Sequence, residues 1–97
     1  MIYILVQLEV RDYEAFEKFE LFAIGIMKTY QGKLVSAFEI ERTEDGEGRE
    51  IHLLEFPNEE QFEKYKNDPE LAKKNDLRSK AISNTSISIS TAIKSYA

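Results

Sequence analysis

The apolar residues of this 97-residue chain change their spacing several times, and these changes limit the folds it can adopt. Near the start every second residue is aliphatic: Ile2, Ile4, Val6, Leu8 and Val10. Because successive side chains of a β-strand point to opposite faces, this alternation predicts a strand over residues 1–10 with one aliphatic face. The spacing then becomes helical, is strand-like in the next two segments, becomes helical again and ends strand-like.

The first helical segment begins after Asp12, which we expect to be its N-cap. An apolar stripe with residues three or four positions apart defines its buried face: Phe16, Phe19, Ala23, Ile26 or Met27, and Tyr30. We expect the helix to end at Gln31 and Gly32, with Gly32 in the left-handed conformation that ends many helices.

The rest of the chain divides into a hairpin, a second helical segment and a last strand. A polar, glycine-bearing turn separates the two hairpin strands, and Asn58 and Asp68 can each cap a helix. We predict strands over 33–43 and 49–56, helices over 59–66 and from 69 to about 82, and a fourth strand over 84–96.

This order of elements predicts one α+β domain over residues 1–97 with a ferredoxin-like βαββαβ fold. Right-handed crossovers place both helices on one face of a four-stranded antiparallel sheet and leave the other face uncovered. On the first strand the uncovered face carries Tyr3 and Leu5 beside Gln7 and Glu9, and on the last strand it carries a row of Ser. Such a patch often marks an interaction surface, so we expect a two-fold homodimer through the sheet, with a hydrated monomer as the alternative.

Composition excludes several classes of function. The net charge of -5, with basic residues scattered among acids, argues against nucleic acid as a partner. The chain has no Cys, which excludes disulfides and thiolate chemistry and fits a cytoplasmic protein. The apolar N-terminus lacks a basic segment and is interrupted by Gln7, so we interpret it as a strand rather than a signal peptide and expect no membrane partner.

Short motifs along nearly the whole chain resemble the domain-of-unknown-function 1330 family. The motifs are Asp12-Tyr13 with Phe16, Tyr30-Gln31-Gly32-Lys33, Leu54-Glu55-Phe56-Pro57-Asn58, Tyr65 with Asp68-Pro69, and Leu77-Arg78. The family belongs to the dimeric α/β-barrel superfamily, alongside the antibiotic-biosynthesis monooxygenases. The resemblance implies a ferredoxin-like subunit that pairs through its sheet, and it implies no established activity.

Two residues are candidates for catalysis. His52 is the only histidine, and histidine is the natural general base near neutral pH, although a lone strand histidine is often structural. Glu55 points away from its neighbours Leu54 and Phe56, and a carboxylate on a buried sheet needs a partner or a raised pKa. One histidine with scattered carboxylates does not make a metal site, so we expect neither metal nor cofactor.

Five residues are candidates for binding a small molecule: Tyr3, Gln7, Glu55, Tyr65 and Arg78, with Tyr30 as a further cavity-lining candidate. Arg78, which matches an arginine that recurs in the family, can hold an acidic ligand by a bidentate pair. It can equally pair with Glu55 or another acid to fix the helix to the sheet.

Three functions remain open: a homodimer that binds a small molecule in a pocket of the α/β barrel, a cofactor-free monooxygenase-like enzyme, and a structural or regulatory dimer without a ligand. A cavity above ~300 Å³ that contains Glu55, Arg78 or His52 would favour binding or catalysis, and a filled interior would favour the structural dimer.

Overall fold

A computed structural model describes residues 1–96. Its strands are β1 (Ile2–Val10), β2 (Lys33–Arg42), β3 (Gly48–Phe56) and β4 (Ile82–Ser90), and its helices are α1 (Tyr13–Thr29), α2 (Glu59–Lys66), α3 (Pro69–Ala72) and α4 (Asn75–Ala81). The four strands form one antiparallel sheet in the order β2-β3-β1-β4. The helices lie on one face, and the chain has the predicted α+β ferredoxin-like fold.

The cap of α1 is confirmed, and the residue that ends the helix differs from the prediction. The Asp12 carboxylate accepts hydrogen bonds from the backbone N–H groups of Glu14 and Ala15. At the other end Gln31, not Gly32, adopts the left-handed conformation, with φ of 61°. Gly32 is needed for a different reason, because a Cβ at this position would overlap the Phe56 ring and Met27.

The second crossover is divided into three helices where we predicted two. Asn58 and Asp68 cap α2 and α3 as expected. The stretch from residue 69 to about 82 is interrupted after Ala72, because the Lys74 N–H bonds to the Leu71 carbonyl three residues back and tightens the turn. A turn over Lys73 and Lys74 therefore separates α3 from α4.

The last strand begins two residues earlier than predicted and ends at Ser90 rather than near residue 96. β4 hydrogen-bonds to β1, and Ser90 is opposite Tyr3 close to the beginning of that strand. Beyond Ser90 the alternating pattern continues in the sequence, but β1 begins at Ile2, so almost none of that strand remains to pair. The described residues after Ser90 are outside the sheet.

The core consists of two groups of buried side chains between the sheet and the helices. The first contains Leu8, Val10, Tyr13, Ala15, Phe16, Phe19, Ala23, Ala81 and Ile82. The second contains Ile2, Ile4, Met27, Leu54, Phe56 and Phe62. Val6 packs against both groups. The aliphatic face of β1 thus runs through the whole core.

The close contact at Gly32 gives a test of this packing. Replacing Gly32 with Ala should destabilise the chain by about 1–3 kcal/mol, because the added methyl group overfills the space beside Phe56. Urea unfolding followed by circular dichroism measures this change. Gly25→Ala is the matched control: its Cβ meets nothing within 4 Å in the middle of α1, so this variant should gain up to about 1 kcal/mol. Equal stability of the two variants would contradict the close packing of Gly32 against Phe56 and Met27.

Candidate functional site

A cavity of about 410 Å³ lies between the sheet and the helices. Its apolar walls come from both core groups, with Leu8, Phe19 and Ile82 from the first and Met27, Leu54 and Phe62 from the second. The cavity is therefore located where the two groups meet. Leu71 and Ala72 of α3 also line it, so the divided crossover contributes directly to its wall.

A small set of polar side chains interrupts the apolar wall. Glu20 comes from α1, His52 from β3, Tyr65 from α2 and Arg78 from α4, and Lys66, Asn75 and Thr85 complete the set. An apolar space with a few polar groups from different elements is the usual composition of a small-molecule site.

His52 is buried, with 4% of its surface exposed, and both of its ring nitrogens face carboxylates. Nε2 is 2.8 Å from Glu50 Oε1, and Nδ1 is 3.6 Å from Glu20 Oε2. The two carboxylates lie on opposite sides of the imidazole, so the three side chains do not converge on one point. Accordingly, no group of three potential metal ligands occurs within residues 1–96.

Glu20 is the only acidic side chain among the described residues that line the cavity. Burial raises the pKa of its carboxyl above the ordinary value of 4.5. Interactions with His52 and Arg78 lower this pKa, and the negative charge of Glu50 raises it further. The net result is an acid that holds its proton more strongly than a surface glutamate does.

Arg78 is half-buried at the cavity wall, and its Nη2 donates a hydrogen bond to Thr85 Oγ1 at 2.9 Å. No carboxylate within the described part of the chain lies within 4.0 Å of its guanidinium. Nearby, burial and the charge of Glu20 raise the pKa of the Tyr65 hydroxyl, and Arg78 lowers it. Arg78 thus retains N–H groups that no acidic side chain among residues 1–96 uses.

The sequence candidates divide between the two faces of the sheet. His52, Tyr65 and Arg78 are brought together at the cavity. Tyr3 and Glu55 are opposite each other on β1 and β3, and with Gln7 they lie on the uncovered face. Glu55 therefore cannot pair with Arg78. Tyr30 is outside the cavity lining, and its hydroxyl donates a hydrogen bond to the Asp68 carboxylate at the start of α3.

Sequence reasoning missed Glu20 and Glu50, although the sequence contained a signal for each. Glu20 lies four residues after Phe16 and three before Ala23, so it interrupts the apolar stripe of α1. Glu50 precedes His52 by two positions and must share its face of the strand. Glu20 is thus marked by its place within a buried stripe, and Glu50 by its position beside the only histidine.

The fold and the cavity define an α+β ferredoxin-like protein with a chamber between sheet and helices. The family model of the domain of unknown function DUF1330 matches residues 1–92, and the chain belongs to this family. No curated protein matches it. No described helix has the length and apolarity required to cross a bilayer.

Solved structures share the fold at low sequence identity. RPA0582 of Rhodopseudomonas palustris, a protein of unknown function, has a TM-score of 0.76 at 16% identity, covering 97% of this chain and 83% of that one. SnoaB of Streptomyces nogalater, a cofactor-independent oxygenase, has a TM-score of 0.69 at 13% identity, with coverage of 98% and 95%. An uncharacterised NIPSNAP domain protein of Burkholderia xenovorans also reaches 0.69, at 11% identity, with coverage of 96% and 95%. Identities this low show a shared fold alone.

The raised pKa of Glu20 predicts how stability depends on pH. The folded chain binds the Glu20 proton more tightly than the unfolded chain, so this residue lowers stability as pH rises above 4.5, until the folded-state pKa is passed. Glu20→Gln removes the buried charge at nearly constant shape. Its melting temperature should match that of the parent at pH 4 and exceed it by several degrees at pH 8. If the melting temperatures of Glu20→Gln and the parent differ by the same amount at both pH values, the pKa of Glu20 is not raised.

Proposed function

We propose that this protein binds a small, largely apolar organic molecule in the cavity, and that Arg78 binds a carbonyl or carboxylate oxygen of that molecule. The observation that carries the proposal is a 410 Å³ cavity whose wall includes His52 and Arg78. This volume is above the ~300 Å³ at which small-molecule sites begin.

The chemistry of the wall supports this class of ligand. Leu8, Phe19, Leu54 and Phe62 offer apolar contacts to a hydrocarbon or aromatic body. The guanidinium of Arg78 is oriented by Thr85 and keeps donors for an oxygen acceptor. A structural dimer without a ligand is expected to have a filled interior rather than a cavity of this volume. The cofactor-free oxygenase alternative draws its support from the fold shared with SnoaB.

A thermal-shift series tests the binding proposal with four probes: benzoate, phenylacetate, phenylpyruvate and 2-tetralone. At millimolar concentration, at least one should raise the melting temperature by several degrees, because a ligand that binds only the folded state stabilises it. Arg78→Gln should weaken binding of the responding probe at least about tenfold, since a charge-assisted hydrogen bond contributes roughly 1.5–3 kcal/mol.

The control is Arg42→Gln, which removes the same charge outside the cavity lining. This variant should bind the probe as the parent does. No response to any probe, or equal binding by the Arg78 variant, would contradict the proposal.

We also propose that the chain forms a homodimer through the uncovered sheet face. Large apolar side chains remain exposed there, including Leu5 at 39%, Phe38 at 54% and Ile40 at 50%. The neighbouring Ser86 and Ser88 of β4 are small enough to let another surface approach. A second copy of the same face would bury this patch with two-fold symmetry.

Light scattering after size exclusion tests the dimer. The parent should have twice the monomer mass of 11.3 kDa at micromolar concentration. Phe38→Glu should reduce it to a monomer, because each subunit would then bury an unpaired carboxylate in the interface. Leu21→Glu is the control, since Leu21 is 77% exposed on α1, away from the sheet face. A monomeric parent would exclude the dimer.

A further inference from the structure

Glu20 is the residue that brings a carboxyl group to the cavity wall. It belongs to α1, its side chain is 20% exposed, and it lines the cavity. Its ion-pair partner, His52 Nδ1, is 3.6 Å away, which is longer than a hydrogen bond. Within residues 1–96 the carboxylate makes no side-chain hydrogen bond, so it remains available to a ligand.

The hydrogen bond between His52 and Glu50 fixes the orientation of the imidazole beside Glu20. His52 Nε2 is 2.8 Å from Glu50 Oε1, so Nδ1 is directed towards Glu20. With Nε2–H bonded to Glu50, Nδ1 carries a lone pair that can face a protonated Glu20, or a proton that can face the Glu20 carboxylate. One proton can therefore be held on either side of this gap, which suits a group that alternately accepts and returns a proton.

Arg78 provides a positive charge in the same cavity, because its side chain and that of Glu20 both line the cavity wall. An enolate oxygen carries the negative charge that forms when a carbon next to a carbonyl loses its proton. A fixed guanidinium in an apolar cavity stabilises that charge more than water does. The cavity thus pairs a proton acceptor with a site for the developing negative charge.

We propose that Glu20 is the catalytic acid–base residue of a cofactor-free enolisation, in which Arg78 holds the carbonyl oxygen of a small aromatic or apolar carbonyl compound. This inference rests on the proposed ligand site and names its substrate class. Glu20 takes the proton as the C–H bond breaks, and the bonding electrons move through the new C=C bond to the oxygen. If the proton on Glu20 is first replaced by one from water, its delivery to the same carbon gives hydrogen exchange, and delivery to another conjugated carbon gives an isomer. No electrons are gained or lost.

The charged groups around Glu20 set the pH dependence of this step. His52 lies beside it on β3, with Glu50 on the far side of the imidazole. Arg78 from α4 and Tyr65 from α2 also interact with it, and Lys66 lines the same cavity. His52 lowers the pKa of Glu20 and acts as a positioning residue. Removing the imidazole should therefore move the pH midpoint of proton abstraction upwards.

The test is hydrogen–deuterium exchange at the α-carbon of phenylpyruvate and 2-tetralone in D2O, followed by proton NMR. The parent chain should accelerate exchange of at least one probe. Glu20→Gln should reduce that acceleration about 100-fold or more, the usual contribution of a general base. Glu17→Gln is the matched control, because it makes the same change on the exposed side of α1. It should leave the rate unchanged.

His52→Asn provides a second, independent measurement. Its exchange rate should reach half-maximum at a higher pH than in the parent, a shift that a purely structural role would not cause. If the probes raise the melting temperature but exchange no faster than with Glu20→Gln, the enolisation is excluded while the binding site stands. If no probe binds, both proposals fail. An unshifted pH midpoint in His52→Asn would remove His52 from the mechanism.

Discussion

The aliphatic face of β1 is the surface on which the rest of the fold depends. β1 is paired with β3 on one edge and β4 on the other, and Ile4 and Val10 are almost fully buried beneath the helices. One core group forms towards each end of this strand, and Val6 touches both. Because the burial of apolar area is the main stabilising contribution, this face determines where the helices must lie. The cavity lies along the same strand, where the packing of the two groups leaves space.

The cavity wall contains charges that a stability-driven core would avoid. Burying a carboxylate or an imidazole costs several kcal/mol unless partners compensate for lost hydration. Here the compensation is incomplete: Glu50 is hydrogen-bonded to His52, whereas Glu20 is separated from Nδ1 by 3.6 Å and its pKa is raised. Shifted pKa values in a cavity are typical of functional sites, because the same burial that weakens the fold makes the group reactive. Burial of the Glu20 carboxyl thus both lowers the stability of the fold and raises the pKa that the proposed acid–base chemistry uses.

The order of elements, the caps Asp12, Asn58 and Asp68, and most boundaries could be predicted because they depend on local spacing and on side chains that bond their own backbone. The end of β4 could not, since it is set by where a distant strand begins. The residues of the cavity were harder to predict from the sequence than the order of elements. His52, Tyr65 and Arg78 stood out as residue types, but Tyr3, Gln7 and Glu55 were grouped with them because the sequence does not tell which strand face the helices cover. Glu20 was passed over because a charged helix residue is usually exposed, and only its position within the apolar stripe indicates otherwise.

Alternation along β3 links the two proposals. Glu50 and His52 lie on the helix-covered face of the sheet, where His52 lines the cavity, while Ile51 and Leu53, directly beside them in the chain, face the uncovered side. A second subunit packed on Ile51 and Leu53 would restrict the backbone that carries His52. The 3.6 Å gap between His52 and Glu20 depends on the height of that backbone relative to α1, and the electrostatic interaction between the two side chains weakens as the gap widens. Pairing through the sheet would therefore hold the acid–base geometry on the opposite face, even though no residue of the partner needs to enter the cavity.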